Sequence, residues 1–521
     1  MAHTPTIIEN GFVVTCDENR TAGRFALLSK DERIADMAPR ADMLKARAPE
    51  AEVIDASEKV ILPGFVDPHV HGESFLLREW TASVPMVKWQ RDPAIRRVLA
   101  HVYHSATRED LLVMYRASYF SALKSGVTCL AEFGFDNLDV PLLAAAEAFK
   151  RTDLKGWIGL HNGDQVEQAR SMTAGSLKFG LILPSEEELT TYNLQNTLRA
   201  AQELEWPLIS HLGQTKKGVE SVRKNFLRSI TQILDEYRIF QFPLHLTHLA
   251  FVDRLDAEIL RKASLPVILG PGAILEKGTE IPPLEILLGQ GIPIALCTDW
   301  GASDPFSTMR ALLRIAQVKG IDDISPFDLL AMHTRTAARA LGIHHETGSI
   351  QIGKKADLCL VDVSDVRQHR MLDTARRESA LSNFLQEASA GDVTDVMING
   401  EFFIRRGEIM TYAEEDLKRE ITHLKERLTA LTPSTAPLGD PDHLPTPVIS
   451  LTPTVVREPE HAPVEPDVPD GDFEEGFRIV SGTSRSPQTG NDSPASTPHT
   501  GQPVELPKTV KRVFGDDDVS S

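Results

Sequence analysis

Between residues 63 and 345 the chain switches repeatedly between short apolar runs and amphipathic stretches, and this alternation restricts the fold more than any other feature. Apolar runs at 65–71, 127–133, 156–161, 177–183, 208–211, 244–248, 266–269 and 292–298 read as strands. Stretches such as 108–125, 186–204 and 327–341 carry helical spacing between them. Strands that alternate with helices need crossover connections and so lie parallel; eight of them predict an α/β fold, a (β/α)8 TIM barrel. Chemistry in that fold sits at the C-terminal ends of the strands, so polar residues there are the candidates.

The first run, Val60-Ile61-Leu62-Pro63-Gly64-Phe65-Val66-Asp67-Pro68-His69-Val70-His71, ends in two histidines two residues apart. Side chains two apart on a strand share a face, and two converging imidazoles most commonly hold a transition metal. A bare His-x-His on a loop is often incidental; the apolar approach and the Pro-Gly break put this pair at the end of a buried strand. His211 ends the fifth run, His248 the sixth, and Asp299 follows the eighth. Alternation along the sixth run puts 244, 246 and 248 on one face and turns His245 towards the helices. In the eighth run 295, 297 and 299 share a face, which puts Cys297 beneath Asp299 as barrel filling.

Residues 1–62 and 346–410 are β-rich and are expected to form one small composite β-sandwich domain around the barrel (63–345). The segment Thr6-Ile7-Ile8-Glu9-Asn10-Gly11-Phe12-Val13-Val14-Thr15 reads as a hairpin with an Asn-Gly turn. Residues 72–107, with Trp80 and Trp89, form a long first connection that could cover the barrel mouth. Leu417, Ile421, Leu424, Leu428 and Leu431 recur at helical spacing, predicting a helix over 411–431. Residues 432–521 are rich in Pro, Ser, Thr and acid, and are expected to be a disordered tail. Its end, 506–515, is either a peptide that docks a protein partner or a solvated end with no role. The net charge of -19 argues against nucleic acid or an anionic membrane as main partner. No apolar leader or ~18-residue apolar span is present, and the four dispersed cysteines suit a reducing compartment. A cytoplasmic protein is the expectation.

These motifs resemble the amidohydrolase superfamily, in the branch of cytosine, guanine and S-adenosylhomocysteine deaminases and triazine hydrolases. The resemblance covers about residues 5–410. It rests on the Leu-Pro-Gly-Phe-Val-Asp-Pro-His-Val-His run, Ser125-Gly126-Val127-Thr128, Cys297-Thr298-Asp299, and the Gly348–Leu358 return with its Gly-Lys-Lys-Ala-Asp-Leu. It implies metal ligands His69, His71, His211 and Asp299, and a His248 that polarises substrate or moves protons. Three imidazoles and a carboxylate suit one divalent ion, Zn2+ or Fe2+, with a position open for water. Such an ion lowers the water's pKa from ~16 towards ~7, and Asp299 could accept the proton released. Binuclear relatives carry a bridging carboxylate near the active end of strand four; here Lys178 lies too far back and Leu183 cannot bridge, which favours one metal. The resemblance leaves a homodimer open, since dimers are common among relatives.

Two departures bear on substrate. Many deaminases of this branch have Glu three residues after the strand-five His; this chain has Gln214, which cannot carry a proton at neutral pH. Another acid, with Glu73 and Glu132 as candidates, could replace it. Alternatively the substrate needs no ring protonation, or activity is lost while the metal stays. The seventh strand leads into Gly270-Pro271-Gly272-Ala273 instead of Cys-Pro-x-Ser-Asn. Glu132, His161, Asn162, Asp164, Gln214 and Trp80 are candidate substrate contacts. The reading is a hydrolase that uses metal-bound hydroxide to cleave a C–N bond, releasing amine or ammonia from a planar nitrogen heterocycle. The alternatives are an amide or urea hydrolase and a non-catalytic metal-binding scaffold.

Overall fold

The structure is a computed structural model that describes residues 4–82, 84–135, 140–172, 177–301, 303–365 and 376–432. The expected tail beyond residue 432, with its docking peptide, lies outside the described residues. Among the described residues no helix is long and apolar enough to cross a membrane.

Eight parallel strands run in sequence order around a barrel. Strand one is Phe65–Val70, two Val127–Glu132, three Lys155–Leu160, four Leu177–Ile182, five Leu208–Ile209, six Leu244–Thr247, seven Val267–Leu269 and eight Ile294–Leu296. Strands one and eight meet at the end where the site lies. The Asp299 N–H donates to the His69 carbonyl (3.1 Å) and the His71 N–H to the Asp299 carbonyl (3.0 Å). The Asp67 carboxylate adds bonds from the Thr298 N–H (3.0 Å) and hydroxyl (2.5 Å). Barrel closure and placement of the candidate ligands are therefore one set of contacts.

The interior below the site is filled by Val66, Cys129, Ala131, Trp157, Ile268, Ala295 and Cys297, which cluster with Ala337 and Ala338 of the helix Arg335–Ala340. Cys297 does lie under Asp299. His245 does not face the helices as alternation predicted: its ring meets Trp157 edge-on at 5.7 Å, in the interior. Its register partner Ile209 clusters with Ile182 and Phe133, while Leu244 and Leu246 join the strand–helix layer. The inward face of strand six is thus 245 and 247, and His248 enters the site because its backbone turns into the left-handed region, φ 76°.

The flanks form two sheets. Lys59–Pro63, just before the barrel, pairs antiparallel with Leu358–Asp362, just after it, inside a seven-stranded sheet; a four-stranded sheet packs beside it. The expected Asn-Gly hairpin is absent. Thr6–Glu9 pairs with Ala26–Lys30 and Glu52–Asp55 in the smaller sheet, whereas Phe12–Val14 pairs with Ala22–Arg24 and Lys59–Pro63 in the larger one. The chain crosses between sheets at Asn10 and Gly11. A Cβ on Gly11 would lie 2.5 Å from Ile61 Cδ1, so glycine serves close backbone approach there instead of a two-residue turn. Gly64 is similar: its Cβ would meet Thr128 at 2.3 Å, where the strand leaves the sheet for the barrel.

Two helices differ from expectation. The 327–341 stretch is two helices, Pro326–Met332 and Arg335–Ala340, broken because the His333 carbonyl is diverted to the Val66 N–H (3.1 Å). The 186–204 stretch begins only at Thr191, where Thr190 and Asn193 form a capping box. The C-terminal helix Glu414–Ala430 docks on Arg108–Lys124 through Arg116–Glu420 and Lys124–Glu414 ion pairs (2.5 and 2.8 Å).

Candidate active site

His69, His71 and His211 converge so that one ring nitrogen of each lies within 4.8 Å of the others. His71 Nε2 is 3.7 Å and His69 Nε2 4.0 Å from Asp299 Oδ1. His248 Nε2 is 2.9 Å from His211 Nε2. These five residues come from strands one, five, six and eight, as the sequence indicated. His248 and Asp299 (φ 57°) both hold left-handed backbone, a conformation that is costly for residues with side chains and clusters at functional sites.

Burial dominates the electrostatics. It depresses the imidazoles first, and their mutual repulsion adds to it: His69 and His211 are held well below the usual histidine range. His248 falls to about 3. All three are neutral at physiological pH, which is the state that ligates a metal. Burial alone would raise Asp299, but the Lys277 ammonium holds its carboxyl well below the usual range. Two buried lone-pair atoms have no hydrogen-bond partner, His69 Nε2 and Asp299 Oδ1. Unpartnered buried polar atoms are costly, and here they face one another across the space the three imidazoles surround. That donor set fits a divalent cation.

Two residues that the sequence reading passed over complete the site. Lys277 ends the helix Pro271–Lys277 after strand seven and donates to Asp299 Oδ2 at 2.9 Å while only 5% exposed. Trp300 lies with its ring 5.8 Å from His71 and 5.1 Å from Trp89. The adjacency of Trp300 to Asp299 was a readable signal; Lys277 before Gly278 reads simply as a helix end.

Other candidates are placed less directly. Trp80, in the helix Ser74–Thr81, packs on the apolar cluster. Trp89 is buried, with its ring N–H on the Val84 carbonyl. Glu132 is fully buried, and its oxygens accept from the Gly72 and Gly134 N–H groups and the Tyr119 hydroxyl at 3.0–3.2 Å. His161 is buried, reduced to about 4 by burial, with Nε2 against the Phe133 carbonyl and Nδ1 unpartnered. The Phe133 ring touches His69, His71, His211 and His161 at 5.1–5.3 Å. Asn162 caps the helix Gly163–Ser171 with its side chain, and Asp164 lies in that helix's first turn. Gln214 is half-buried beside Gly213. Lys178 is exposed, its ammonium over Trp157 at 5.1 Å, far from the imidazoles along strand four. Leu183 is buried.

Two curated proteins similar to this chain are 5-methylthioadenosine/S-adenosylhomocysteine deaminases. That of Pyrococcus furiosus is 27% identical over 79% of this chain and 98% of its own length. That of Moorella thermoacetica is 28% identical over 77% and 94%. Among solved structures, an adenosine deaminase from Xanthomonas campestris with bound zinc superposes with TM-score 0.71 at 21% identity, covering 82% of this chain and 99% of the other. Atrazine chlorohydrolase from Arthrobacter aurescens TC1, complexed with zinc, gives TM-score 0.69 at 16% identity, covering 80% and 99%. These structures share the fold. The sequence model of the amidohydrolase family matches residues 60–403, more than half of the chain, and the protein belongs to that family.

Proposed function

We propose that the protein is a hydrolase that removes amine or ammonia from a planar nitrogen heterocycle, using one divalent metal ion, Zn2+ or Fe2+. The observation that carries this is the convergence of His69, His71, His211 and Asp299, with buried His69 Nε2 and Asp299 Oδ1 left without partners. In this reading those four residues hold the ion and residues 63–345 form the catalytic domain, framed by the sheets of 1–62 and 346–410. When bound, the ion acidifies a water so that it attacks at neutral pH.

The chain's own residues do the rest. Lys277 keeps Asp299 ionised, with one oxygen turned to the imidazoles. His248, neutral and within hydrogen-bond reach of His211, donates from Nε2 to polarise the substrate atom that accumulates charge. Phe133 and Trp300, the latter backed by Trp89, put aromatic surface beside the imidazoles that excludes water and suits a flat ring. Gln214 orients substrate without transferring a proton, a feature that also favours the amide or urea reading. The deaminase relatives cover nearly their whole length, which supports the heterocycle as first choice.

The test is ammonia and amine release from aminopurines, pyrimidines, pterins, triazines and simple amides by protein loaded with Zn2+ or Fe2+, with metal content assayed in parallel. Release from a heterocycle that vanishes in His211→Ala supports the reading. Full activity in Asp299→Ala, or turnover of amides alone, overturns it.

A further inference from the structure

Lys277 is more than a counter-ion. Its ammonium has three N–H donors, and among the described residues only Asp299 Oδ2 takes one (2.9 Å). The centre of the Trp300 ring lies 5.9 Å from Nζ. The ammonium thus holds one oxygen of Asp299 while the imidazoles approach the other, and the Trp300 ring, packed on Trp89, stands beside it.

The charge balance there is uneven. The carboxylate placed between the imidazoles and the ammonium is that of Asp299, so a divalent ion held there would share it with Lys277. Glu276, next in sequence, is half-buried and turns its carboxylate towards Gly301 rather than onto the Lys277 ammonium. Glu73 lies behind His71, 3.6 Å from Nδ1, with its Oε1 taken by the Tyr103 hydroxyl. Gln214 adds no charge. A buried excess of positive charge is expensive unless something anionic meets it.

We propose that Lys277 is a specificity-determining residue that binds an anionic group on the substrate, so that the site prefers a planar nitrogen heterocycle bearing a carboxylate or an acidic ring oxo group over its neutral parent. The proposal rests on the function read above, with the Trp300 face taking the ring and the remaining Lys277 donors taking the anion in charge-assisted bonds.

Calorimetry on the zinc-loaded full chain with two matched pairs, pterin-6-carboxylate against pterin and orotate against uracil, tests it. Wild type should bind the acid of at least one pair roughly tenfold more tightly. Lys277→Met should bring that ratio within about threefold, and Lys277→Arg should keep most of it, with zinc content measured for each. Equal affinity for acid and parent in wild type, or an unchanged ratio in folded Lys277→Met, overturns the proposal; the wild-type arm decides even if Lys277→Met does not fold. Acid preference without ammonia release from any compound would sink the deaminase reading and leave the anion site standing. Ammonia release from neutral rings with no acid preference would do the reverse.

Discussion

Two buried polar clusters flank His71, and they are built on opposite terms. On the Nε2 side stand His69, His211, His248, Asp299 and Lys277, with His69 Nε2 and Asp299 Oδ1 left without partners. On the Nδ1 side stand Glu73, Glu132, Tyr103, Tyr115 and Tyr119. There the Glu132 oxygens are met by two backbone N–H groups and a tyrosine, and Glu73 receives the Tyr103 hydroxyl. The unmatched atoms of that cluster, Glu73 Oε2 and the Tyr115 hydroxyl, are an acceptor and a donor, a deficit one proton or water can fill. The unpartnered atoms of the imidazole side, His69 Nε2 and Asp299 Oδ1, are a pair that a cation would satisfy. The contrast separates a donor set suited to a cation from the support behind it: Glu132 braces the Gly72 turn and Glu73 stands behind His71.

The largest expected effects lie on the imidazole side. His69→Ala, His71→Ala or His211→Ala should lower metal content to background and cut turnover at least about a thousandfold, read by metal analysis and ammonia release. Stripping the metal with a chelator should also lower the unfolding midpoint, since an ion that binds only the folded state at 1,000 times its Kd adds about 4 kcal/mol. Loss of metal with no change in stability would break the view that the unmatched lone pairs are completed by a cation.

Next comes Glu132. Glu132→Ala strips the buried Gly72 and Gly134 N–H groups of their acceptor and should cost on the order of 3 kcal/mol in urea unfolding. Glu132→Gln should cost less than about 1 kcal/mol and keep its metal, because an amide can accept from the N–H groups and donate to Tyr119. A Glu132→Gln variant as damaged as Glu132→Ala would mean that the cluster carries two full negative charges and a hidden cation.

How far the sequence foretold this contrast follows from how local each signal is. His69 and His71 were readable because two residues on one strand fix their own geometry, and Asp299 and His211 because strand ends share one face of a barrel. Lys277 was not readable: a lysine before Gly278 matches an ordinary helix terminus, and its bond to Asp299, twenty-two residues on, shows only in the fold. His245 was sorted wrongly on strand six because alternation assumes extended backbone; the chain leaves that region at His248, which reaches the site from left-handed backbone instead. The Asn10-Gly11 hairpin failed because the glycine answers to Ile61, fifty residues on. Contacts of that range leave no mark in local pattern.

The pH dependence of Glu132→Gln sharpens the comparison further. Burial, and then the charge of Glu73, push the Glu132 carboxyl well above its ordinary value. A carboxyl raised on folding contributes stability fully below its unfolded pKa of about 4.5, and that contribution is lost as pH rises through the folded value. Wild type should therefore lose stability relative to Glu132→Gln between pH 5 and pH 8, seen as converging or crossing urea midpoints. The opposite slope would mean Glu132 is ionised in the fold.

The smallest effect tests the link between the two clusters. Tyr103, in the helix Pro93–His104 of the covering segment, donates to Glu73 Oε1 at 3.2 Å, and that same oxygen lies 3.6 Å from His71 Nδ1. A carboxylate on the far nitrogen of a metal-binding imidazole fixes its tautomer and aim. Tyr103→Phe removes one neutral bond, worth about 1 kcal/mol, and frees Glu73 to close on His71. Metal should stay bound while kcat/KM changes less than about fivefold, and Glu73→Gln should change it more. If Tyr103→Phe loses metal outright, the tyrosine cluster is part of the metal site itself, and the division drawn at His71 fails.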